Sequence, residues 1–383
     1  MDFIRFNEPY GDKDIFRRAT ETAGLRLFDE DAMEELLQRR LASLDLYSTS
    51  KAPFFMQSAT SALEVMALAM DFKPGDEVII PSFTYPATAN AFLRAGATIV
   101  FADIEPDTCN LDPKSVERAI TGRTRAIVPI HYGGVAAGIQ ALQEIAAKSG
   151  AVLLEDAAHC IGASHKGKPL GTFGAMGAVS FHFSKNITSA GRGGCLFVKD
   201  EGDREKVSEI IFQGTDRVAY REGRVNSYRW KRQGGEYQMP QFSMAYLEAS
   251  LVNLGQVTDR RRELWLRYHS QLSPLEAEGD LRLCRVLDGA GINGHVFYVL
   301  VNDRKERDGL KSHLNQHGIE ALTHYEPLHD TVIGRRAGRC EGDMSMTDSI
   351  AGRLLRLPMH MGLKDSDVDR VCQSVYGFFG KGD

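Results

Sequence analysis

The stretch GAVSFHFSKNITSAGRGG, residues 177–194, decides the fold. Residues 178–183 combine small, apolar and aromatic side chains as a buried strand does, and the strand ends at Lys185 before a glycine-rich turn. Most lysines at strand ends extend into solvent. The alternative is a lysine whose pKa is lowered by its surroundings and which holds an aldehyde cofactor as a Schiff base. The other residues near Lys185 decide between the two interpretations.

A carboxylate follows another apolar strand upstream. The run AVLL at residues 151–154 leads into EDAAH at residues 155–159. This order places Asp156 at the carboxyl edge of a sheet, where open α/β folds bind ligands. Pyridoxal phosphate requires such an acid, because a buried carboxylate keeps its ring nitrogen protonated. Asp156 alone fits a helix cap equally well, but together with Lys185 it favours the cofactor.

Composition excludes several classes of function. The 383 residues are 43% hydrophobic and carry a net charge of -5, and no basic tract exceeds the three arginines at 260–262, so nucleic-acid binding is unsupported. No run of 18 apolar residues and no secretion signal is present, so we expect a cytoplasmic protein that does not enter a membrane. Six scattered cysteines without a C-x-x-C pair predict free thiols, with neither a disulfide nor a metal site.

Strands and helices alternate along the chain. Strands are predicted at residues 97–104, 125–132 and 151–155, with helices between them, for example at 139–149. This alternation is typical of an α/β fold with a mainly parallel sheet covered by helices on both faces. One long helix is predicted at about 243–272. We expect an N-terminal segment and large domain at 1–255 and a smaller C-terminal α/β domain at 256–383.

The motifs EDAAH at 155–159 and SFHFSKN at 180–186 resemble those of the DegT/StrS sugar-nucleotide aminotransferases, which are fold-type I pyridoxal-phosphate enzymes. The resemblance runs from about Gln57 to the last helix and is closest to members that aminate dTDP-4-keto-6-deoxyhexoses. It implies ping-pong transfer of an amino group from glutamate to a nucleotide-linked keto sugar. It also implies a homodimer with a shared active site.

Three alternatives are considered within this resemblance, and two of them stay open. The first is an aminotransferase for a 3-keto sugar nucleotide. The second is a regulator that binds pyridoxal phosphate on the same fold without turnover. The dehydratase branch of the family replaces the lysine with histidine, so Lys185 disfavours it.

The resemblance also assigns roles to single residues. Lys185 and Asp156 would be catalytic and would both contact the cofactor. Further cofactor contacts would be made by Thr60 and Ser61 at the phosphate, Tyr85 against the ring, His159 at the phenolic oxygen and Ser180 at the phosphate. The substrate would be bound within HYEPLH at 324–329, through His324, Tyr325 and His329. Taken singly, these residues also fit helix caps, core packing or ordinary buried hydrogen bonds.

The chain departs from the family pattern at two places. GRGG at 191–194 carries Arg192 where the family usually has glutamate. Either Arg192 binds the donor carboxylate or a substrate phosphate, or it is a surface arginine. Glu236, Gln238 and Gln241 stand where relatives often have Asn, Arg and Asp or Asn. In relatives that Asn reaches the cofactor phosphate of the partner subunit, a contact that a carboxylate at 236 would repel.

Overall fold

The structure is a computed structural model that describes residues 2–26 and 28–381. Its strands are β1 Phe54–Met56, β2 Glu77–Pro81, β3 Thr98–Ala102, β4 Thr124–Ile127, β5 Val152–Asp156, β6 Ser164–His165, β7 Lys168–Pro169, β8 Met176–Ser180, β9 Gly194–Val198, β10 Arg282–Leu283, β11 Ala290–Gly291, β12 Phe297–Leu300, β13 Gly338–Cys340 and β14 Leu354–Leu357. Its helices are α1 Lys13–Arg26, α2 Glu30–Ala42, α3 Ala59–Ala69, α4 Pro86–Arg94, α5 Pro113–Ala119, α6 Ile139–Ser149, α7 Glu201–Ile211, α8 Arg217–Arg221, α9 Gln241–Leu251, α10 Leu254–Ala277, α11 Arg304–Gln316, α12 Val332–Ala337, α13 Ser345–Arg353 and α14 Asp365–Phe378.

An eight-stranded sheet forms the centre of the molecule. Its strand order is β1-β9-β8-β5-β4-β2-β3-β13, and β8, β5, β4, β2, β3 and β13 run parallel to one another. Only the β1–β9 and β9–β8 pairs of this sheet are antiparallel. The strands β2, β8 and β9 are buried at every position, as expected for strands covered on both faces. This confirms the predicted α/β class with a mainly parallel sheet.

Helices cover both faces of this sheet. The helices α3, α4 and α7 pack on one face, and α5 and α6 pack on the other. The helix α4 begins with Pro86, whose fixed φ suits the first turn of a helix. The helix α6 ends at Gly150, which adopts a left-handed φ of +73°. These local signals are why α6 spans the residues that the sequence predicted.

The helix predicted at 243–272 is two helices, so that prediction was wrong in this respect. The chain leaves helical geometry at Asn253, with φ −99° and ψ 9°, between α9 and α10. Asparagine competes with the helix for hydrogen bonds, which favours a break. The break lets α9 pack on α1 and α2 while α10 continues toward the C-terminal part of the chain.

The C-terminal part has its own apolar core. An antiparallel sheet of order β10-β12-β14 packs with α10, α11 and α14. Leu264, Tyr268 and Leu272 of α10 are fully buried in this core, whereas Leu254 and Val257 pack beneath the large sheet. The helix α10 therefore links the two cores. The strand β13 joins β3 of the large sheet, and the division at residue 255 stays a prediction.

Two further properties follow from the described residues. None of the helices within residues 2–26 and 28–381 combines the length and apolar character that crossing a bilayer requires. All six cysteines are free thiols, and Cys340 alone among them is exposed.

A buried carboxylate fastens the strand β5 to its surroundings. The Oε1 atom of Glu155 accepts the N–H groups of Phe173 and Gly174 at 2.6 Å, and Oε2 accepts that of Gly171 at 2.9 Å. The Nε2 atom of His131 also lies 2.9 Å from Oε2. Burial alone would raise the pKa of Glu155, but these donors outweigh it and lower the pKa below its usual value.

We expect Glu155→Gln to lower the thermal midpoint of unfolding by several degrees at pH 7. An amide cannot accept all four hydrogen bonds, and a buried donor left unpaired costs about 1–3 kcal/mol. Because the folded carboxylate has a depressed pKa, its stabilisation is present above its usual pKa and is lost as the pH falls. The difference from wild type should therefore narrow below about pH 4.5. A constant difference down to pH 3 in calorimetry would contradict this assignment.

Candidate active site

Several polar side chains meet at one edge of the large sheet. The parallel strands β2, β5 and β8 all end there, and each is followed by a predicted site residue. The strand β9 begins at the same edge, because Gly194 pairs with Ser180 in antiparallel register. Gly194 also pairs with Met56 at the end of β1, which leads into α3. The topology thus brings residues far apart in sequence to one place.

Asp156 is the last residue of β5 and is buried. Its Oδ2 atom accepts the hydroxyl of Thr88 at 2.7 Å, and its Oδ1 atom accepts the N–H of Ala158 at 3.1 Å. Burial raises its pKa, opposed by these two hydrogen bonds and by the charge of Lys185. Within the described ranges no lysine or arginine forms an ion pair with it. The carboxylate can therefore accept one more cationic donor.

Lys185 lies within reach of the Asp156 charge. Burial lowers the pKa of its ammonium to about 8, although Asp156 acts in the opposite direction. Loss of hydration disfavours the charged form of an amine, so a larger share of Lys185 is the nucleophilic free amine near neutral pH. The structure therefore brings together the two residues on which the sequence interpretation depended.

His159 follows β5 and presents a defined tautomer. Its Nδ1 atom accepts the N–H of Gly133 at 3.2 Å, which leaves the proton on Nε2. Its ring lies 4.5 Å from that of His295 and is parallel to that of His324 at 6.5 Å. Burial, reinforced by Lys185, lowers its pKa well below the usual value. His159 is therefore a neutral hydrogen-bond donor at this edge.

The first turn of α3 forms an anion-binding geometry. The Ser58 hydroxyl accepts the N–H of Ser61 at 3.0 Å, and Thr60 is exposed beside it. The backbone N–H groups of a first helical turn and the positive end of its dipole favour a phosphate. Gly194 approaches so closely that a Cβ there would overlap the backbone of Ser58 and Ala59. Since Gly194 pairs with Ser180, that hydroxyl belongs to the same region.

Aromatic side chains border the site. Tyr85, directly before α4, is 63% exposed, so its ring is free to contact a ligand. His324 and Tyr325 stack at 3.9 Å, and the Nδ1 atom of His324 lies 3.1 Å from the hydroxyl of Tyr132. Burial lowers the pKa of His324 to about 2, so this wall is uncharged.

Two predicted substrate residues lie apart from this group. The Nδ1 atom of His329 is 2.8 Å from the Ser82 hydroxyl, and its Nε2 is 3.5 Å from Asp348. These contacts tie the C-terminal segment to the end of β2. Arg192 is exposed in the turn before β9. The pKa of His182 is lowered mainly by burial, then by the charge of Lys185, and the charge of Arg192 adds a smaller effect.

Four residues of the site were missed in the sequence. Thr88 lies one turn beyond Tyr85 on α4, a spacing that could have indicated it. Asn186 follows Lys185, and its Oδ1 atom is 2.9 Å from the Nδ1 atom of His295. His295 and Arg356 come from the C-terminal part, and the charge of Arg356 lowers the pKa of Lys185. No local signal in the sequence marks His295 or Arg356.

The arrangement fits pyridoxal phosphate. A lysine with a lowered pKa supplies an amine, and a buried acid can accept a cationic donor. The Ser58 hydroxyl caps the N–H of Ser61, and the exposed Thr60 and the positive end of the α3 dipole can bind an anion. His159 offers an N–H to an oxygen on the ring, and Tyr85 offers an aromatic face. These groups correspond in kind to the aldehyde, pyridine nitrogen, phosphate, phenolic oxygen and ring of the cofactor.

Comparisons with known proteins agree. The model of the DegT/DnrJ/EryC1/StrS aminotransferase family matches residues 35–376. The "Pleiotropic regulatory protein" of Geobacillus stearothermophilus is 33% identical over 341 residues, 88% of each chain. The Bacillus subtilis spore coat polysaccharide biosynthesis protein SpsC is 28% identical, covering 97% of this chain and 96% of its own. The structure of DesV from S. venezuelae, solved with a ketimine intermediate, is 28% identical, with a TM-score of 0.83 over 100% of both chains.

We expect Gly194→Ala to weaken binding of the cofactor phosphate. The new Cβ would push the start of α3 away from Ser180, and a displaced helix N-terminus costs about tenfold in affinity. Titration of the apoprotein with pyridoxal phosphate, followed by absorbance, measures this. Gly352→Ala is the matched control, because its Cβ would meet open space on α13. Equal dissociation constants for Gly194→Ala and wild type would contradict the placement.

Proposed function

The chain belongs to the DegT/DnrJ/EryC1/StrS aminotransferase family, and on this premise we propose that it moves the amino group of glutamate to a dTDP-4-keto-6-deoxyhexose. The product would be a 4-amino-4,6-dideoxy sugar nucleotide. The family makes the chain a transaminase that depends on pyridoxal phosphate. The observation that carries the proposal is the proximity of Lys185 to Asp156 at one edge of the sheet.

We assign the cofactor contacts as follows. Asp156 takes the proton-bearing ring nitrogen, and its hydrogen bonds from Thr88 and Ala158 hold the carboxylate in place. His159 donates from Nε2 to the phenolic oxygen. The remaining contacts are Tyr85 against the ring and Thr60, Ser61 and Ser180 at the phosphate. Bound pyridoxal phosphate supplies the electron sink that stabilises negative charge on the substrate carbon.

Lys185 is assigned two tasks. Its amine, with a pKa of about 8, binds the cofactor covalently at rest. When it is not bound to the cofactor, the neutral amine of Lys185 would serve as the base that takes up and returns the proton of the substrate carbon. Burial favours the neutral amine, which is the form that can accept a proton. The negative charge of Asp156 acts in the opposite direction and favours the ammonium form.

The sugar nucleotide is assigned to the C-terminal wall of the site. The stacked pair His324 and Tyr325 offers a neutral surface for a sugar ring, and His329 braces this segment against Ser82. The resemblance of residues 324–329 supports binding of a sugar nucleotide here, and the overall resemblance to members that aminate dTDP-4-keto-6-deoxyhexoses supports a 4-keto sugar. SpsC, a relative in spore coat polysaccharide biosynthesis, supports a role in making a surface sugar. A 3-keto sugar nucleotide is the alternative within this class.

The active site is proposed to be shared in a homodimer. Three aromatic side chains between α7 and α9 are exposed, namely Tyr220 at 47%, Tyr228 at 55% and Trp230 at 78%. Exposed aromatic residues of this kind are enriched in protein interfaces. The carboxylate of Glu236 accepts a hydrogen bond from the side-chain amide of Gln213 at 2.8 Å. Light scattering that reported only monomer would contradict this part of the proposal.

A regulator without turnover is the second candidate. The printed name of the Geobacillus relative favours it, because that protein is called a regulatory protein. Arg192, Glu236 and Gln241, which depart from the family pattern, also motivate it. Amine transfer from glutamate by the purified protein separates the candidates, since a regulator would bind the cofactor and leave glutamate unchanged.

We expect the purified protein to convert a dTDP-4-keto-6-deoxyhexose to its 4-amino product with glutamate. Lys185→Ala should lower the rate at least about 10⁴-fold, because covalent and proton-transfer roles are lost together. Product analysis by mass spectrometry and NMR across a panel of 3-keto and 4-keto sugar nucleotides measures this. Lys168→Ala is the control, since Lys168 is an exposed lysine on β7 and is not one of the residues assigned to the site. Activity only with 3-keto sugars would contradict the 4-keto assignment, and full activity of Lys185→Ala would contradict the mechanism.

Arg192 is proposed to bind a phosphate of the sugar nucleotide. Its exposed guanidinium lies in the turn that follows Lys185 and is free for bidentate contacts. We expect Arg192→Ala to raise the KM for the sugar nucleotide about tenfold and to leave the half-reaction with glutamate unchanged. Rapid kinetics of each half-reaction tests this. If neither half-reaction changes, Arg192 is a surface residue.

A further inference from the structure

Arg356 occupies a position that ordinary packing does not explain. It is the third residue of β14, between Leu355 and Leu357, which are fully buried in the C-terminal core. Successive side chains of a strand point to opposite faces, so Arg356 points away from that core. Its backbone exchanges two hydrogen bonds with Leu322, at 2.8 and 3.2 Å. This places it beside the segment that carries His324 and Tyr325.

The guanidinium of Arg356 is incompletely satisfied. Its Nη2 atom donates to the carbonyl of Thr323 at 3.0 Å, and the group lies 4.6 Å above the ring of Phe6. Its Nε is buried and has no acceptor among the described residues. A guanidinium has five N–H donors, and a buried donor without a partner is costly. The group is therefore prepared for an acceptor that the described chain does not provide.

Comparison with other arginines makes this more specific. Arg261, also in the C-terminal half, donates from Nε and Nη2 to the carbonyls of Gly294, His295 and Met359. Arg282 likewise has an unpaired Nε, but it forms an ion pair with Asp107. No carboxylate within residues 2–26 and 28–381 forms an ion pair with Arg356. Its positive charge is left for a ligand.

The groups that face Arg356 are those of the active site. Burial is the main cause of the lowered pKa values of four groups, namely Lys185, His159, His295 and His324. The positive charge of Arg356 adds to this lowering in each case. The phenols of Tyr132 and Tyr325 act on it from the same side. Arg356 donates to the carbonyl of Thr323, next to His324, whose Nδ1 atom lies 3.1 Å from the hydroxyl of Tyr132. The side chains that act on Arg356 are neutral phenols, and the carboxylate of Glu320, which accepts the N–H of Phe6 at 2.9 Å, forms no ion pair with it.

Resting on the proposed function, we propose that Arg356 binds the α-carboxylate of the amino-acid donor. That carboxylate is bonded to the carbon that carries the amine, so it must lie within a few ångströms of Lys185 whenever the donor reacts. The charges of a sugar nucleotide sit on its diphosphate, beyond the sugar ring from the keto carbon. The cofactor phosphate belongs to the start of α3. Only the donor brings an anion to the place that Arg356 faces, and a guanidinium matches a carboxylate in a bidentate manner.

The test separates the two half-reactions in Arg356→Gln and Arg356→Lys. For Arg356→Gln we expect the apparent dissociation constant of glutamate in the first half-reaction to rise about 100-fold, with a smaller rise for Arg356→Lys. The second half-reaction, started from protein loaded with pyridoxamine phosphate and the keto sugar, should stay within about threefold, because the sugar carbon carries no charge. Arg353→Gln is the control, since its guanidinium donates to Val301 on the far side of the core.

A donor without an α-carboxylate sharpens the test. Wild type should discriminate strongly between glutamate and 4-aminobutyrate, whereas Arg356→Gln should lose most of that discrimination. A second readout needs no turnover: the rate at which apoprotein reacts with pyridoxal phosphate rises as Lys185 deprotonates. Because the charge of Arg356 adds to the lowering of the pKa of Lys185 by burial, Arg356→Gln should raise that midpoint relative to wild type.

The outcomes distinguish this proposal from the proposed function. If wild type shows no reaction with glutamate, the proposed function fails. If wild type reacts but Arg356→Gln keeps its affinity for glutamate, or loses both half-reactions equally while remaining folded, the assignment of Arg356 is overturned. An unchanged midpoint for Lys185 would also overturn it.

Discussion

The structure depends on two opposite charges placed together at one edge of a parallel sheet, with Asp156 buried and Lys185 partly buried. Burial disfavours the charged forms of both Lys185 and Asp156, and each partly restores the charge of the other. Removing an ion from water costs several kcal/mol unless hydrogen bonds compensate. Thr88 and Ala158 supply those bonds to Asp156. The site is therefore kept ready for a ligand that completes the pairing.

The sheet and this edge could be predicted because their signals are local. Apolar runs followed by polar residues mark the ends of β5 and β8, and parallel strands necessarily end at the same edge. Lys185 and Asp156 could thus be paired from the chain alone. The α/β class followed from the same alternation. The roles of the residues around them rest on the resemblance to the family, together with the placement that the structure provides.

The remaining parts depend on contacts between distant residues. Asn253 favours a break between α9 and α10, but no local pattern shows that α9 then packs against α1 and α2. His295 lies in the loop before β12 and Arg356 lies on β14, and both interact electrostatically with Lys185 from the C-terminal part of the chain. His329 lies in a site motif, yet its ring is occupied by Ser82 and Asp348. The roles of such side chains can be recognised only once the C-terminal part is packed against the large sheet.

The central claim is that the amine of Lys185 holds the cofactor. Borohydride reduction of the purified protein loaded with pyridoxal phosphate, followed by proteolysis and mass spectrometry, tests it most directly, because reduction makes the link permanent. The account predicts a pyridoxyl group on the peptide that contains Lys185. A pyridoxyl group on another lysine, with Lys185 unmodified, or no modified lysine at all, would contradict it.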